Sequence, residues 1–263
     1  MKAWRLDELT YHDTRDRRFE VAILPLGATE PHNLHLPYGT DTFEATTIGD
    51  HICQEAQRRG ARVLLLPTIP FGTETNLREF PYALNLNPST LLAVIRDLVA
   101  SLELSGIRKL LLLNSHGGND FKPLLRELYG QTEVHLFLCN WFQMIADRYD
   151  AIFTHRDDHA GEMETSFALA YFPALVRHQT DGSLAADEGR TAVCRFQAVS
   201  QGWVSITRPW HLLTTHTGSG NPHAATAEKG HRLMELLVQR LAAFLVDLSQ
   251  SEIDDQFPFE QRG

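Results

Sequence analysis

Residues 21–41 read VAILPLGATEPHNLHLPYGTD. Six apolar residues come first, about the length of a buried strand, and a loop that carries acids and histidines follows at once. Three more apolar runs of this kind occur between turn formers, at residues 62–67, 109–113 and 134–139. Helical patterns lie between the runs, at residues 43–59 and 89–105. This alternation predicts an α/β fold with a mostly parallel sheet and helices on both of its faces.

The second half of the sequence is less regular. A short helix is expected over residues 161–171, and residues 224–248 have the pattern of a long amphipathic helix that covers the sheet. Residues 183–210 contain alternating stretches such as 193–199, which predict a β-rich insertion near the site. Because no repeat or linker divides the sequence, we expect a single domain over residues 1–263.

Composition narrows the classes of partner. The formal net charge is -9 and the pI is about 5.8, so there is no basic surface to hold a nucleic acid. The three cysteines form no C-x-x-C pair, and no run approaches the roughly 18 apolar residues of a membrane span. We therefore expect a cytoplasmic protein with a small-molecule substrate and with no nucleic-acid or membrane partner.

The loop after the first apolar run has the residues of a metal site. Glu30 and His32 are two apart, so an extended backbone projects both side chains to the same side, and Asp41 follows further along the loop. Ligands of open α/β sheets bind beyond the carboxyl ends of strands, where this loop begins. Glutamate, histidine and aspartate together suit zinc, manganese or iron(II). A solvated surface loop is the alternative, and His35 is a further polar group nearby.

A second motif, NSHGGN at residues 114–119, follows the third apolar run. His116 therefore also emerges at the carboxyl end of a strand, and Gly117 and Gly118 let the backbone approach a ligand closely. A phosphate-binding loop is the competing interpretation, but the sequence lacks G-x-x-x-x-G-K-[ST]. The two motifs are expected to face one crevice.

A third motif, HAGEMETS at residues 159–166, indicates a loop that enters a helix. Glu162 and Glu164 lie in the first helical turn, where capping by carboxylates is a serious alternative to a role in a site. His159 stands before the helix beside two aspartates, so an exposed ion pair is its alternative role.

Together these motifs resemble the creatininase family, whose opening pattern resembles GSTEQHGPHLPxxTD. FPYALNLNPSTL at residues 80–91, the two motifs just described and HAATAEKG at residues 223–230 also match family patterns, in the family's order. The resemblance covers nearly the whole chain and implies a three-layer α/β/α creatininase-like fold. It also implies a homo-oligomer, with hexamers known among relatives.

The resemblance implies roles for individual residues. Two divalent ions, zinc, manganese or iron, are implied, with Asp41 as the bridge between them. The implied metal ligands are Glu30, His32, Asp41, His116 and Glu164. His159 matches a residue of substrate binding or proton transfer, and Glu162 is a weaker candidate for the same work.

Several positions depart from the family pattern. Creatininase itself has a glutamate where this sequence has Gly118, which favours NGHGGN-type members such as formamidopyrimidine deformylase. Pro31, Asn33 and Leu34 replace the usual Gln, Gly and Pro between the ligands, so the surroundings of the ligands are expected to differ. The candidate substrate-binding residues are His35, Gly117, Gly118, Asn119 and Trp141. For the tryptophan, which could wall a flat ring, simple packing is the alternative.

The sequence thus predicts a metal-dependent amidohydrolase that cleaves a C–N bond of a cyclic amide or formamide through a metal-activated water. A peptidase or a lyase on the same scaffold is one alternative. A binding protein with a degenerate site is another.

Overall fold

Four parallel strands form one sheet in the order β2-β1-β3-β4, in a computed structural model that describes residues 2–260. The strands are β1 (Val21–Leu26), β2 (Val63–Leu65), β3 (Lys109–Asn114) and β4 (His135–Asn140). The bounds of each strand fall inside a predicted apolar run or differ from it by one residue. Every pairing between the strands is parallel. The predicted α/β class is confirmed.

Helices surround the sheet. Within residues 2–260 they are α1 (Tyr11–Thr14), α2 (Thr40–Arg58), α3 (Pro88–Leu104), α4 (Lys122–Leu128), α5 (Trp141–Met144), α6 (Tyr149–Ile152), α7 (Glu162–Tyr171), α8 (Gln197–Ser200), α9 (Trp210–Leu213) and α10 (Ala227–Gln250). Short 3₁₀ turns occupy Leu6–Glu8, Thr75–Leu77, Pro173–Leu175 and Pro222–Ala224. The four helical segments predicted from the sequence correspond to α2, α3, α7 and α10.

Both faces of the sheet are covered, which explains why its strands are continuously apolar. Along β1, Val21 and Ile23 pack against α2, α7 and α10, whereas Ala22 and Leu24 face α3 and α4. The two core clusters therefore lie on opposite sides of a single sheet. This gives the three layers that the sequence resemblance implied.

The order of the strands places a crevice between β1 and β3. From β1 the chain passes through α2 on one face to β2, and then returns through α3 on the other face to β3, on the opposite side of β1. Such a reversal is a topological switch point, where the loops after the two central strands diverge and leave room for a ligand. The loops that begin at Gly27 and Ser115 are the two at this point.

The β-rich insertion predicted for residues 183–210 is not formed. Over this segment the structure has loops and α8, with one isolated bridge from His178 to Leu184. The alternating apolar residues find no layer to cover them, since Val193 is 93% exposed and Phe196 is 68% exposed. Alternation predicts a strand only where one face is buried.

Among the helices of residues 2–260, none combines the length and the apolar character that crossing a membrane needs.

Helices α7 and α10 approach closely at Gly230. A Cβ atom added there would lie 2.2 Å from the backbone oxygen of Ser166 in α7. At the same end of α10, the Thr226 side chain accepts a hydrogen bond from the Lys229 backbone N–H and caps the helix. The HAATAEKG motif therefore encodes a helix start followed by a close helix crossing.

We predict that Gly230→Ala lowers the free energy of unfolding by about 1–3 kcal/mol, because the methyl group meets rigid backbone. Gly49→Ala in α2 is the matched control, since the added atom there meets the flexible end of Leu65. The control is expected to change stability by less than about 1 kcal/mol, as helix propensity offsets the crowding. Chemical denaturation of both variants tests this, and equal effects would contradict the close-crossing explanation.

Candidate metal centre

The five predicted metal ligands come together at the switch point. Glu30 and His32 lie on the loop after β1, His116 on the loop after β3, and the other two in first helical turns, Asp41 in α2 and Glu164 in α7. All five are buried, with exposed fractions from 0% for His32 to 9% for Glu164. The carboxylates at the helix N-termini are favoured by the helix dipoles.

His116 lies between two of the acids. Its Nδ1 atom is 3.1 Å from Oε1 of Glu30 and 3.3 Å from Oδ2 of Asp41. On the other side of the ring, Nε2 is 3.1 Å from the carbonyl oxygen of Thr73. Because a carbonyl can only accept, Nε2 carries a hydrogen, and Nδ1 is the atom that faces the two acids and becomes free for a metal ion once it loses its own proton. This is the tautomer that a metal ligand needs.

His32 is oriented in the same way by its own loop. Nδ1 donates to the carbonyl oxygen of Glu30 at 2.9 Å, which leaves Nε2 at 3.4 Å from Oδ1 of Asp41. His32, Asp41 and Glu164 each offer one ligand atom, and the three atoms lie within 4.8 Å of one another. These residues form one candidate metal-binding set.

Several donor atoms of this centre are buried and lack hydrogen-bond partners within the described chain. They include Oε2 of Glu30, Nε2 of His32 and Oδ2 of Asp41. A buried polar atom without a partner costs about 1–3 kcal/mol, and more when it is charged. Imidazole and carboxylate donors suit a first-row divalent ion, which would satisfy all of them. The residues present therefore fit the implied ions.

The pKa shifts of the clustered acids and of His32 are those expected of a metal site. Burial lowers the pKa of His32, but the carboxylates of Asp41 and Glu164 outweigh burial and raise the pKa to about 10. Burial raises the pKa of Glu164 to about 7 and that of Glu30 well above its usual range. Glu30, Glu164 and His32 thus hold protons that a divalent ion would displace when it binds.

His159 stands beside the ligands rather than on the surface. Its Nδ1 is 3.5 Å from Oε1 of Glu30, and its Nε2 donates to the carbonyl oxygen of Pro31 at 3.0 Å. Burial and the neighbouring His32 lower the pKa of His159 to about 3, so the ring is neutral with a free lone pair on Nδ1. The edge of the ring meets Trp210, with the centroids 5.0 Å apart.

The backbone around His159 is tightly defined. Its N–H and C=O groups pair with Ser219, with N···O distances of 3.0 Å and 2.8 Å. The next residue, Ala160, has φ = 51°, a left-handed conformation that is uncommon for alanine. The N–H of Ala160 donates to the Glu164 carboxylate. This turn therefore directs His159 and Glu164 to the same centre.

Asn33, one of the departures from the family pattern, has a structural explanation. Its φ is 55°, which asparagine tolerates better than most residues and glycine tolerates freely. The asparagine amide adds two contacts that glycine cannot make, since Nδ2 donates to the Asp187 carbonyl and Oδ1 accepts from the Asp187 N–H, both at 3.0 Å. The ligand loop is thereby joined to the segment around residue 187.

A cavity of about 270 Å³ opens above the ligands. Its wall includes Gly117 and Gly118, as predicted for substrate-binding residues, together with Arg156, Arg208 and Trp210. The cavity is therefore lined by the ligands, by glycine backbone and by cationic and aromatic side chains.

Three other residues predicted to bind substrate are not among those that line this cavity. Trp141 is buried under it, packed against Phe167, and its indole N–H donates to Ser115 Oγ at 2.7 Å. His35 is held by Thr165 Oγ1 at 2.7 Å. Asn119 accepts from the Thr73 N–H at 3.0 Å. Each of the three thus makes a hydrogen bond that supports a loop, and their role in substrate binding stays a prediction.

The Glu162 carboxylate faces away from the cavity. Its carboxylate accepts hydrogen bonds from the backbone N–H groups of Thr154 and His155 and pairs with Lys229. Glu162 is fully buried and does not line the cavity. Its role is to join α7 to α10 and to the turn before α7, which leaves His159 as the candidate for proton transfer.

Two buried acids were not singled out from the sequence. Glu44 lies one turn after Asp41 in α2, and its Oε2 accepts from Ser115 Oγ at 3.1 Å. The i, i+3 spacing of the two acids was a usable signal. Glu74 lies on the loop before Thr75–Leu77, and no periodic pattern marks it. Its Oε2 is 3.1 Å from Nε2 of His116.

Comparison with known proteins identifies the family of this chain. The family profile described as Creatininase: Creatinine amidohydrolase matches residues 7–245. The chain belongs to the creatininase family. Creatinine amidohydrolase of Pseudomonas putida is 26% identical over 242 residues, which are 84% of this chain and 87% of that protein. The mycofactocin precursor peptide peptidase of Mycobacterium ulcerans is 28% identical over 220 residues, 82% of this chain and 80% of that protein.

Solved structures show the same fold. A Bacteroides fragilis protein, provisionally described as a creatinine amidohydrolase, is 34% identical with a TM-score of 0.88, covering 97% of this chain and 100% of that one. A manganese form of creatininase matches with a TM-score of 0.74 at 23% identity. A creatininase variant of the Zn-Zn type matches with a TM-score of 0.75 at 24% identity. Each of these matches covers 95% of this chain and 100% of the creatininase chain. In creatininase this fold therefore holds zinc or manganese.

We predict that Lys229→Met lowers the free energy of unfolding by about 1–3 kcal/mol, because it leaves the buried Glu162 carboxylate without its cation. Lys122→Met, an exposed change at the start of α4, is the control and is expected to be near neutral. Chemical denaturation measures both. Since Glu162 is assigned no catalytic role, a folded Glu162→Gln variant that lost all hydrolysis would contradict the assignment.

Proposed function

We propose that this creatininase-family hydrolase cleaves a C–N bond of a small cyclic amide or formamide and requires two divalent metal ions. The observation that carries the proposal is the set of buried, unpartnered carboxylate and imidazole atoms at the base of a cavity. Such a set is costly to maintain unless cations occupy it. Family membership supports hydrolysis as the class of reaction.

The chain's own residues divide into two metal-binding groups. His32 and Glu164 would hold one ion, and Glu30 and His116 would hold the other. Asp41 lies 3.4 Å from Nε2 of His32 and 3.3 Å from Nδ1 of His116, where it would bridge the two ions. Such ions, when bound, activate a water and polarise the carbonyl that it attacks.

His159 is placed to move the proton. Its Nε2–H is held by the Pro31 carbonyl, so Nδ1 is the atom that takes a proton from the attacking water and passes it to the departing nitrogen. General catalysis of this kind is typically worth about 10²–10⁴ in rate. The ring can serve both steps without turning, because its other nitrogen stays fixed.

The cavity supports a substrate other than creatinine. A Cβ atom at Gly118 would lie 2.3 Å from Nε2 of His116 and 2.4 Å from the oxygen of Thr73, so this backbone admits only glycine there. A side chain such as the glutamate of creatininase cannot occupy that part of the wall. The lining by Gly117 and Gly118 supports the resemblance to NGHGGN-type members.

Peptide hydrolysis is the second candidate. Arg156 and Arg208 line the cavity and could bind the carboxylate of a peptide. The match to mycofactocin precursor peptide peptidases supports this alternative.

We predict that His32→Ala and Asp41→Ala each remove bound metal and hydrolysis together. Metal is measured by elemental analysis after gentle purification, with about one to two equivalents per chain expected for the unaltered protein. His12→Ala, an exposed histidine in α1, is the control and should retain both properties. Full hydrolytic activity in a chelator-treated, metal-free preparation would show that the proposed function is wrong.

We predict that a panel of formamides, lactams and cyclic ureides contains a substrate that the metal-loaded protein hydrolyses and the chelated protein does not. Liquid chromatography of the products measures this. If short peptides are cleaved instead, and Arg208→Ala raises their KM, the peptidase alternative replaces the amidohydrolase.

The homo-oligomer implied by the family resemblance and the cytoplasmic location expected from the sequence stay predictions. Sedimentation analysis tests the first, and cell fractionation tests the second.

A further inference from the structure

Glu74 is a buried acid that the sequence-based ligand set does not use. It is 1% exposed and lines the cavity, yet neither carboxylate oxygen has a hydrogen-bond partner among the described residues. An ionised carboxylate in this condition needs a cation or a donor close by. The nearest basic group is His116, whose Nε2 is 3.1 Å from Oε2 of Glu74.

His116 does not satisfy Glu74. The Nε2–H of His116 is directed to the Thr73 carbonyl, and the contact with the Glu74 carboxylate lacks the geometry of a hydrogen bond. Glu74 is therefore not simply the carboxylate that orients a ligand histidine, an arrangement common around metal sites. A different partner is required.

The loop around Glu74 is built to direct it inward. The Thr73 N–H is fixed by Asn119 at 3.0 Å, and the Glu74 carbonyl accepts from Leu77 at 3.0 Å. Gly72 leaves space for the carboxylate, since a Cβ atom there would lie 2.9 Å from Oε1 of Glu74. The side chain thus keeps a buried position although it lies in a loop.

We propose that Glu74 is a metal ligand of the His116 site. Glu30, Glu74 and His116 each offer one ligand atom, and these atoms lie within 4.8 Å of one another. With Glu74, the ion at His116 would have one imidazole and three carboxylates, from Glu30, Glu74 and the bridging Asp41. The other ion would have His32, Glu164 and the same Asp41. Such oxygen-rich sites suit manganese or iron as well as zinc. This inference rests on the proposed metal-dependent function.

The test compares Glu74→Gln and Glu74→Ala with Glu79→Gln, an exposed acid of the same loop. Each purified protein is stripped, titrated with Mn²⁺ alone by calorimetry and analysed for bound metal. Both Glu74 variants are expected to bind about one equivalent of Mn²⁺ per chain less than the unaltered protein, or to bind the second ion at least about 100-fold more weakly. Glu79→Gln is expected to bind Mn²⁺ as the unaltered protein does. If Glu74 only oriented His116, the side-chain oxygen of glutamine could replace its carboxylate. The proposal is therefore overturned if Glu74→Gln keeps the second Mn²⁺ ion and only Glu74→Ala loses it.

Thermal unfolding supplies a readout that does not depend on catalysis. Replacing a buried carboxylate that has no hydrogen-bond partner among the described residues is expected to raise the melting temperature of the metal-free Glu74→Gln protein. Added Mn²⁺ should raise the melting temperature of this variant less than that of the unaltered protein. A lower metal-free melting temperature with a full response to Mn²⁺ would identify a structural residue and overturn the proposal.

If Glu74→Gln binds two ions normally, this inference fails alone. If the unaltered protein binds two ions but hydrolyses nothing in the panel, the proposed function fails alone.

Discussion

The concentration of buried carboxylates around His32 and His116 is the constraint on which the rest of the structure depends. Within the described chain, five acids converge here, Glu30, Asp41, Glu44, Glu74 and Glu164, and each is at most 9% exposed. In water these groups would repel one another and keep their hydration, so the fold must hold them together against a cost of several kcal/mol. The metal-free chain offsets part of that cost by retaining protons, as the raised pKa values of Glu30, Glu44 and Glu164 indicate.

The sheet supplies the rigidity that this arrangement needs. β1 and β3 are buried on both faces, so the loops that carry Glu30 and His116 begin from fixed points. α2 and α7 pack on the same face and add Asp41 and Glu164 from their first turns. Because each ligand comes from a rigid element or directly follows one, its position is set by core packing rather than by the loops themselves. This is why the crossing at Gly230, a residue that does not itself line the cavity, bears on the geometry of the site: it positions α7, which carries Glu164.

The sequence predicted the elements that depend on local pattern. β1 and its neighbours are continuous apolar runs, and the HAGEMETS turn enters a helix as expected. The features that local pattern does not determine depend on contacts between distant parts of the chain. Residues 193–199 alternate without a layer to cover them, Trp141 is apolar enough to pack under the cavity, and Glu162 finds Lys229 about 67 residues away. Glu74 could not be found by periodicity, since only the tertiary fold brings its loop to His116.

The departures from the family pattern are connected to one another through the structure. The carbonyl of Pro31 accepts hydrogen bonds from His159 and from Thr217 Oγ1, each at 3.0 Å, and Asn33 binds Asp187 through both atoms of its amide. Both positions therefore fasten the segment after residue 183 to the ligand loop. That segment supplies Arg208 and Trp210 to the cavity wall. The loop that carries Glu30 and His32 is thus connected to the segment that lines the cavity, through a backbone carbonyl at Pro31 and through the side chain at Asn33. A change at residue 33 can therefore move the cavity wall while Glu30 and His32 stay in place.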